Sequence, residues 1–318
     1  MKIKLYGVRG SIPTPLSNSN IEDKIRKSLS LATPGDISSE ESIELFIKKL
    51  PESLKGTYGG NTTCLLVTSD SNEMIIIDAG SGLKSLSREL MKTEFAKGQG
   101  FANFLLTHTH WDHIQGIPFF VPFYIKGNRF NIYSPMENIL DRIKYQQPDT
   151  HFPVNFDYFS ATKNVYQLEP EQDFFLNDMK IINKKMPHPG GAFGYRFEEN
   201  GRSFVYTSDC EFNIDAIDSI DLFRDFFLNA DVAVFDTQYT FEESLNKIDY
   251  GHSSASIAID IAGKFGVKKL VLFHHEPDYS DEKLDAVLSN ARIYLDMNKR
   301  KVGDLIVEIA YEGMEFIL

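Results

Sequence analysis

The chain has 318 residues, 42% hydrophobic and 25% charged, a composition that excludes a disordered chain and supplies one large core or two modest ones. Its formal net charge of -12, with no long run of lysine and arginine, argues against gripping an extended nucleic acid and favours a small substrate. Cys64 and Cys210 are too few for a disulfide framework and read as buried thiols. Neither the first nine residues nor any later stretch is apolar enough for a leader or a membrane span, so no membrane contact is expected and the cytoplasm is the expected location.

Ile3 to Val8 alternates weakly and reads as a first strand, ending at Gly10 and Ser11 before Pro13 and Pro15. The next strand starts only at Thr62 and runs to Val67, after the tight turn Tyr58-Gly59-Gly60-Asn61. The intervening residues, about 17–57, read as a helical insertion within a single domain spanning 1–318. Its clearer helix has Ser38 and Glu41 at capping-box spacing, an apolar stripe of Ile43, Phe46, Ile47 and Leu50, and Pro51 as a stop. A weaker one carries Ile21, Ile25 and Leu29. A lid, a homodimer contact and extra packing are equally open roles for it.

Met74 to Ile77 reads as a strand buried on both faces, followed by Asp78 and a helix with Leu83, Leu86, Leu90 and Met91 on one side. Asp78 either orients a neighbouring loop or caps that helix. Phe104 to Thr107 is another short buried strand, and it runs directly into His108-Thr109-His110-Trp111-Asp112-His113. Three imidazoles and a carboxylate in six positions are hard to place in a core, because each would need its own polar partner. A metal supplies partners for all of them. His108 and His110 point to one side of an extended segment, whereas Asp112 and His113 need a turn after Trp111. Two half-sites follow, His108 with His110 and Asp112 with His113, of the nitrogen and oxygen type that suits zinc, manganese or iron(II).

Beyond the cluster, Ile117 to Ile125 is broken by Pro118 and Pro122 and reads as irregular, lining a pocket or filling core. His188 lies before a hairpin whose strands, 194–197 and 203–206, are joined through Asn200-Gly201. A strand ending at Asp236, a helix from Ser253 to Phe265, a strand delivering His274 and His275, a helix from Leu284 to Met297 and a final strand pair over 305–318 complete an α/β chain. Asp78, His108, Asp209, Asp236 and His274 all fall at the C-terminal ends of strands, where α/β sheets present ligands.

Taken together, these residues resemble the metallo-β-lactamase superfamily of binuclear metallohydrolases. His108-x-His110-x-Asp112-His113 matches its signature, Asp78 its upstream acidic motif, and His188, Asp209 and His274 its later ligand positions, over residues 74 to 275. The resemblance implies an αββα sandwich of two mixed sheets with helices on both outer faces. It also implies two divalent ions, zinc before manganese or iron: one held by His108, His110 and His188, the other by Asp112, His113 and His274, with Asp209 bridging and a shared hydroxide as nucleophile. His274 is preferred to His275 as ligand because it stands directly at the strand end; His275 is left as a supporting or substrate contact.

Gly251-His252-Ser253-Ser254 looks like an element of the ribonuclease Z and phosphodiesterase branch, which would make His252 a helper of the leaving oxygen, oriented by Asp236. With Asp112 these two form the expected catalytic set. The stretches Tyr6 to Ser11 and Tyr58 to Thr62 resemble a bacterial group of metal-dependent hydrolases, some acting on cyclic nucleotides. There Arg9 reads either as a phosphate contact or as a surface ion pair. The expected function is a phosphodiesterase for cyclic nucleotides or similar small diesters. Transfer-RNA 3' processing, a glyoxalase II-type thioester hydrolase and a sensor that lost its chemistry are the competing readings.

Overall fold

The computed structural model describes residues 1–212 and 220–318. Among them the strands are β1 (Lys2–Gly7), β2 (Cys64–Thr68), β3 (Met74–Ile77), β4 (Phe101–Leu105), β5 (Arg129–Ser134), β6 (Thr162–Gln167), β7 (Phe174–Leu176), β8 (Met179–Met186), β9 (Ala192–Glu199), β10 (Arg202–Tyr206), β11 (Val232–Asp236), β12 (Lys269–Phe273), β13 (Ile306–Ile309) and β14 (Glu315–Ile317). They form two seven-stranded sheets, ordered β14-β1-β2-β3-β4-β5-β6 and β13-β12-β11-β10-β9-β8-β7. Both are mixed: pairing is parallel from β3 to β6 and from β10 to β13, and antiparallel elsewhere.

Alternation along the strands builds the layers. In β3, Ile75 and Ile77 enter the core between the sheets while Ile76 turns outward onto the helix Leu83–Leu90. In β11 and β12, Val232, Val234, Val271 and Phe273 face inward, and Ala233, Phe235, Leu270 and Leu272 pack outward against the helix Ala255–Lys264. A strand apolar at every position therefore serves two cores at once. Three buried clusters result, one between the sheets and one under each outer helical layer. This is the expected αββα sandwich.

Several local expectations need correction. The box that starts the helix Glu40–Lys49 uses Ser39 and Ser42, not Ser38 and Glu41, since the Ser39 hydroxyl accepts from the Ser42 amide and the Ser42 hydroxyl accepts from the Ser39 amide. The stripe of that helix is core only in part: Leu50 is buried and Phe46 half-buried, but Ile43 and Ile47 are exposed, as are Ile21, Ile25 and Leu29 of the helix Asn18–Leu31. The insertion is held by Lys24, which reaches Asp281 at 2.7 Å, and by Lys27, which reaches Glu282 at 2.6 Å. Residues 117–125 are irregular as expected, forming two short 3-10 turns. Their Ile117, Phe120 and Phe123 fill the outer core of the first sheet. The last two strands do not pair with each other, because β13 joins β12 and β14 joins β1, one in each sheet. No helix among the described residues is long and apolar enough to cross a membrane.

Candidate metal centre

Strand ends from both sheets converge. Asp78 follows β3, His108 lies just beyond β4, Asp209 just beyond β10, Asp236 closes β11 and His274 follows β12. The chain turns sharply there: Ser11, Asp78, Ser208 and His274 have φ of 58°, 55°, 59° and 64°. Non-glycine residues in the left-handed region are strained, and such strain gathers where side chains must be aimed.

Two clusters share one carboxylate. Ligand-type atoms of His108, His110, His188 and Asp209 lie within 4.8 Å of one another, and so do those of Asp112, His113, Asp209 and His274. Asp209 Oδ2 is 3.5 Å from His108 Nε2 and 3.9 Å from His188 Nε2. Its other oxygen, Oδ1, is 3.0 Å from His113 Nε2 and 3.2 Å from His274 Nε2. One oxygen thus faces each group.

The outer partners settle which ring nitrogens carry lone pairs. Asp78 Oδ2 accepts from His113 Nδ1 at 2.8 Å. Thr107 donates its hydroxyl to Asp78 and accepts from His108 Nδ1 at 3.0 Å. The Gly251 carbonyl accepts from His188 Nδ1 at 2.9 Å, and Gln238 Oε1 accepts from His274 Nδ1 at 3.1 Å. Each ring then turns its Nε2 inward, where it can offer a lone pair to a metal. His188 Nε2 converges with His110 Nδ1, 3.1 Å away.

Buried lone pairs facing carboxylate oxygens repel unless a cation lies between them. His108 Nε2, His113 Nε2 and Asp209 Oδ1 are buried with no hydrogen-bond partner, a cost a native structure tolerates where an ion supplies the missing contact. The donors present therefore fit divalent metal, all of them imidazole nitrogen or carboxylate oxygen. With only protons available, burial alone lowers the pKa of His113 and His274, yet the surrounding Asp209 and Asp112 outweigh it. They raise His113 well above the usual histidine range and push His274 up to about 9. His108, His110 and His188 are lowered, by burial first.

His252 stands beside the second cluster, its ring stacked on His274 with centroids 4.9 Å apart. Asp236 Oδ2 accepts from His252 Nδ1 at 2.7 Å and also from the Cys210 amide at 3.0 Å. Ser253 ties the loop down by donating to the Cys210 carbonyl, with both cysteines buried as free thiols.

Two residues fall outside the centre. Arg9 is neither a phosphate contact nor a surface ion pair: it is 3% exposed, with Nε on the Gly59 carbonyl and Nη1 on the Glu276 and Tyr279 carbonyls. His275 turns away from the cluster, its Nε2 meeting the Ala310 carbonyl at 2.8 Å and its backbone amide the Val8 carbonyl. Burial lowers it to about 3. Sequence reasoning missed Gln238 and the Ser11 amide, which donates to Asp112 Oδ2 at 2.8 Å. A backbone donor has no residue signature, and Gln238 could have been suspected only from its place two residues beyond the strand end of Asp236.

A two-sheet sandwich with a shared histidine and aspartate cluster on one edge defines a metal-dependent hydrolase of the metallo-β-lactamase fold. The beta-lactamase superfamily domain matches residues 73–275, and the chain belongs to that superfamily, in its ribonuclease Z and phosphodiesterase-like branch. Ribonuclease Z of Oceanobacillus iheyensis is 21% identical over 286 residues, covering 74% of this chain and 90% of that protein. The metallo-beta-lactamase fold protein YhfI from Bacillus subtilis superposes with a TM-score of 0.64 at 19% identity, covering 99% of this chain and 98% of that one. Unliganded yeast PDE1 does so with 0.64 at 15%, covering 100% and 99%. The family fold implies divalent metal ions, and the clusters above are where this chain has donors for them.

Proposed function

We propose that the protein is a binuclear phosphodiesterase for small nucleotide-type diesters, cyclic nucleotides foremost. The observation that carries this reading is Asp209 presenting one oxygen to each of two histidine clusters, with the His252–Asp236 pair beside them. In it, His108, His110 and His188 hold one ion and Asp112, His113 and His274 the other, zinc being the first choice for nitrogen and oxygen donors at this spacing. Bound, the two ions neutralise charge on phosphoryl oxygens and make water nucleophilic at neutral pH.

The chain's own groups do the rest. The Ser11 amide and Gln238 fix Asp112 and His274 so that neither rotates as charge builds. Asp236 accepts from His252 Nδ1 and stabilises the imidazolium, whose Nε2 proton passes to the leaving oxygen as its bond to phosphorus breaks. A thioester substrate has less need of such a donor, because a thiolate leaves unaided more readily than an alkoxide. Intact donors in both clusters weigh against a sensor without chemistry.

Transfer-RNA 3' processing is a second reading, supported by ribonuclease Z relatives matched over most of their length. The charge of -12 weighs against it. Protein loaded with zinc, manganese or iron should contain about two ions per chain and hydrolyse bis-p-nitrophenyl phosphate and cyclic mononucleotides. Cleavage of precursor transfer RNA with inert cyclic nucleotides would select the second reading, and turnover of thioesters alone would reject both.

A further inference from the structure

Trp111 is the sequence's only tryptophan, and it is 80% exposed. It stands between two residues of the clusters, His110 and Asp112, at the first position of the short helix Trp111–Ile114. Trp111 is among the residues that line the cleft of about 440 Å³ that also opens onto Asp209, His252 and His274. No residue of the 17–57 insertion lines this cleft among the described residues. An indole left in water gives up the burial that large aromatic side chains normally gain, so its position calls for a partner that arrives from outside.

A cation shares this lip. Arg142 donates through Nε to the Glu137 carbonyl at 2.9 Å and through Nη1 to Thr109 Oγ1 at 3.4 Å, and Thr109 lines the same cleft. An exposed aromatic side chain on a cleft that also holds the histidine and aspartate clusters, with a guanidinium bonded to another residue of its lining, matches a ligand with an anionic end and a planar aromatic end. Apolar leaving groups without a ring would gain little from the indole face, and a polyanion would be repelled by the overall charge.

We propose that Trp111 is a specificity-determining residue whose indole stacks on the nucleobase of the substrate while the phosphate sits at the histidine clusters, with Arg142 neutralising charge at the rim. This rests on the phosphoester reading of the site for the placement of the phosphate. Base–aromatic stacking tolerates any base, because each has a π-face, so the preference is for nucleotides over baseless phosphates rather than for one base.

Because the chain has one tryptophan, its emission reports on this position alone. Metal-loaded protein titrated with adenosine 5'-monophosphate should show saturable quenching, and ribose 5-phosphate should show none. By calorimetry, Trp111→Ala should bind the nucleotide at least about tenfold more weakly, with Trp111→Phe recovering most of the loss. Absence of quenching by the nucleotide, equal quenching by ribose 5-phosphate, or unchanged affinity in Trp111→Ala overturns the proposal. Quenching is read without turnover, so the two readings fail separately. A loaded protein that binds the nucleotide through Trp111 yet hydrolyses no phosphodiester overturns the catalytic reading alone.

Discussion

His108, His113, His188 and His274 are each held from behind by a group that bonds the ring's Nδ1. His252 is held in the same way, by the Asp236 carboxylate, but belongs to neither of the clusters that share Asp209, so its Nε2 is left for the substrate. His252→Ala should therefore cut kcat by about 10²- to 10⁴-fold while elemental analysis still finds about two ions per chain. Loss of metal in that variant would make His252 a ligand rather than a proton donor. At this scale the sequence was most readable where side chains cluster within a few positions, as in His108 to His113. It was least readable for the Ser11 amide, which contributes through its backbone, and for Arg9 and His275, whose burial depends on segments more than 250 residues apart meeting in space.

At the scale of elements, the loop ahead of the helix Ala255–Lys264 sets His188 through Gly251. That glycine has φ +93°, and an added Cβ would lie 2.3 Å from His188 Nδ1. Gly251→Ala should push His188 out of line and lower metal content below two ions per chain, read by elemental analysis. Two full equivalents in this variant would show that the loop yields without moving the ring. Helix and strand existence followed from periodicity, but caps slipped by one residue at Ser39, since serines crowd that turn and only hydrogen bonding selects among them. Much of the insertion's apolar residue set, Ile21, Ile25, Leu29, Ile43 and Ile47, has helical spacing yet faces outward. Spacing says which residues share a face, not what that face meets. Likewise two adjacent strands at 306–317 look like partners until the sheets they complete are seen to be different.

For the molecule as a whole, the centre is a concentration of negative charge that either protons or metal must offset. In metal-free protein His274 is raised to about 9 from an ordinary 6.5, with His113 shifted the same way. A raised folded-state pKa contributes stability that is fully present below pH 6.5 and is lost as pH rises through about 9. Metal-free protein should therefore lose Tm across that window. Metal, which displaces those protons, binds more tightly as pH rises, so the Tm gap between loaded and chelated protein should widen from pH 6.5 to 9 in paired thermal melts. A constant gap would mean that protons and metal do not compete at His274.

Asp209 and Asp78 each serve both halves of the centre, the first by dividing its oxygens, the second by bonding His113 directly and His108 through Thr107. An ion in one half alone would leave Asp209 with one oxygen unengaged. Filling should then be close to all-or-none, and the protein's output should rise abruptly over a narrow range of metal supply, as a threshold device does, rather than grade smoothly with scarcity.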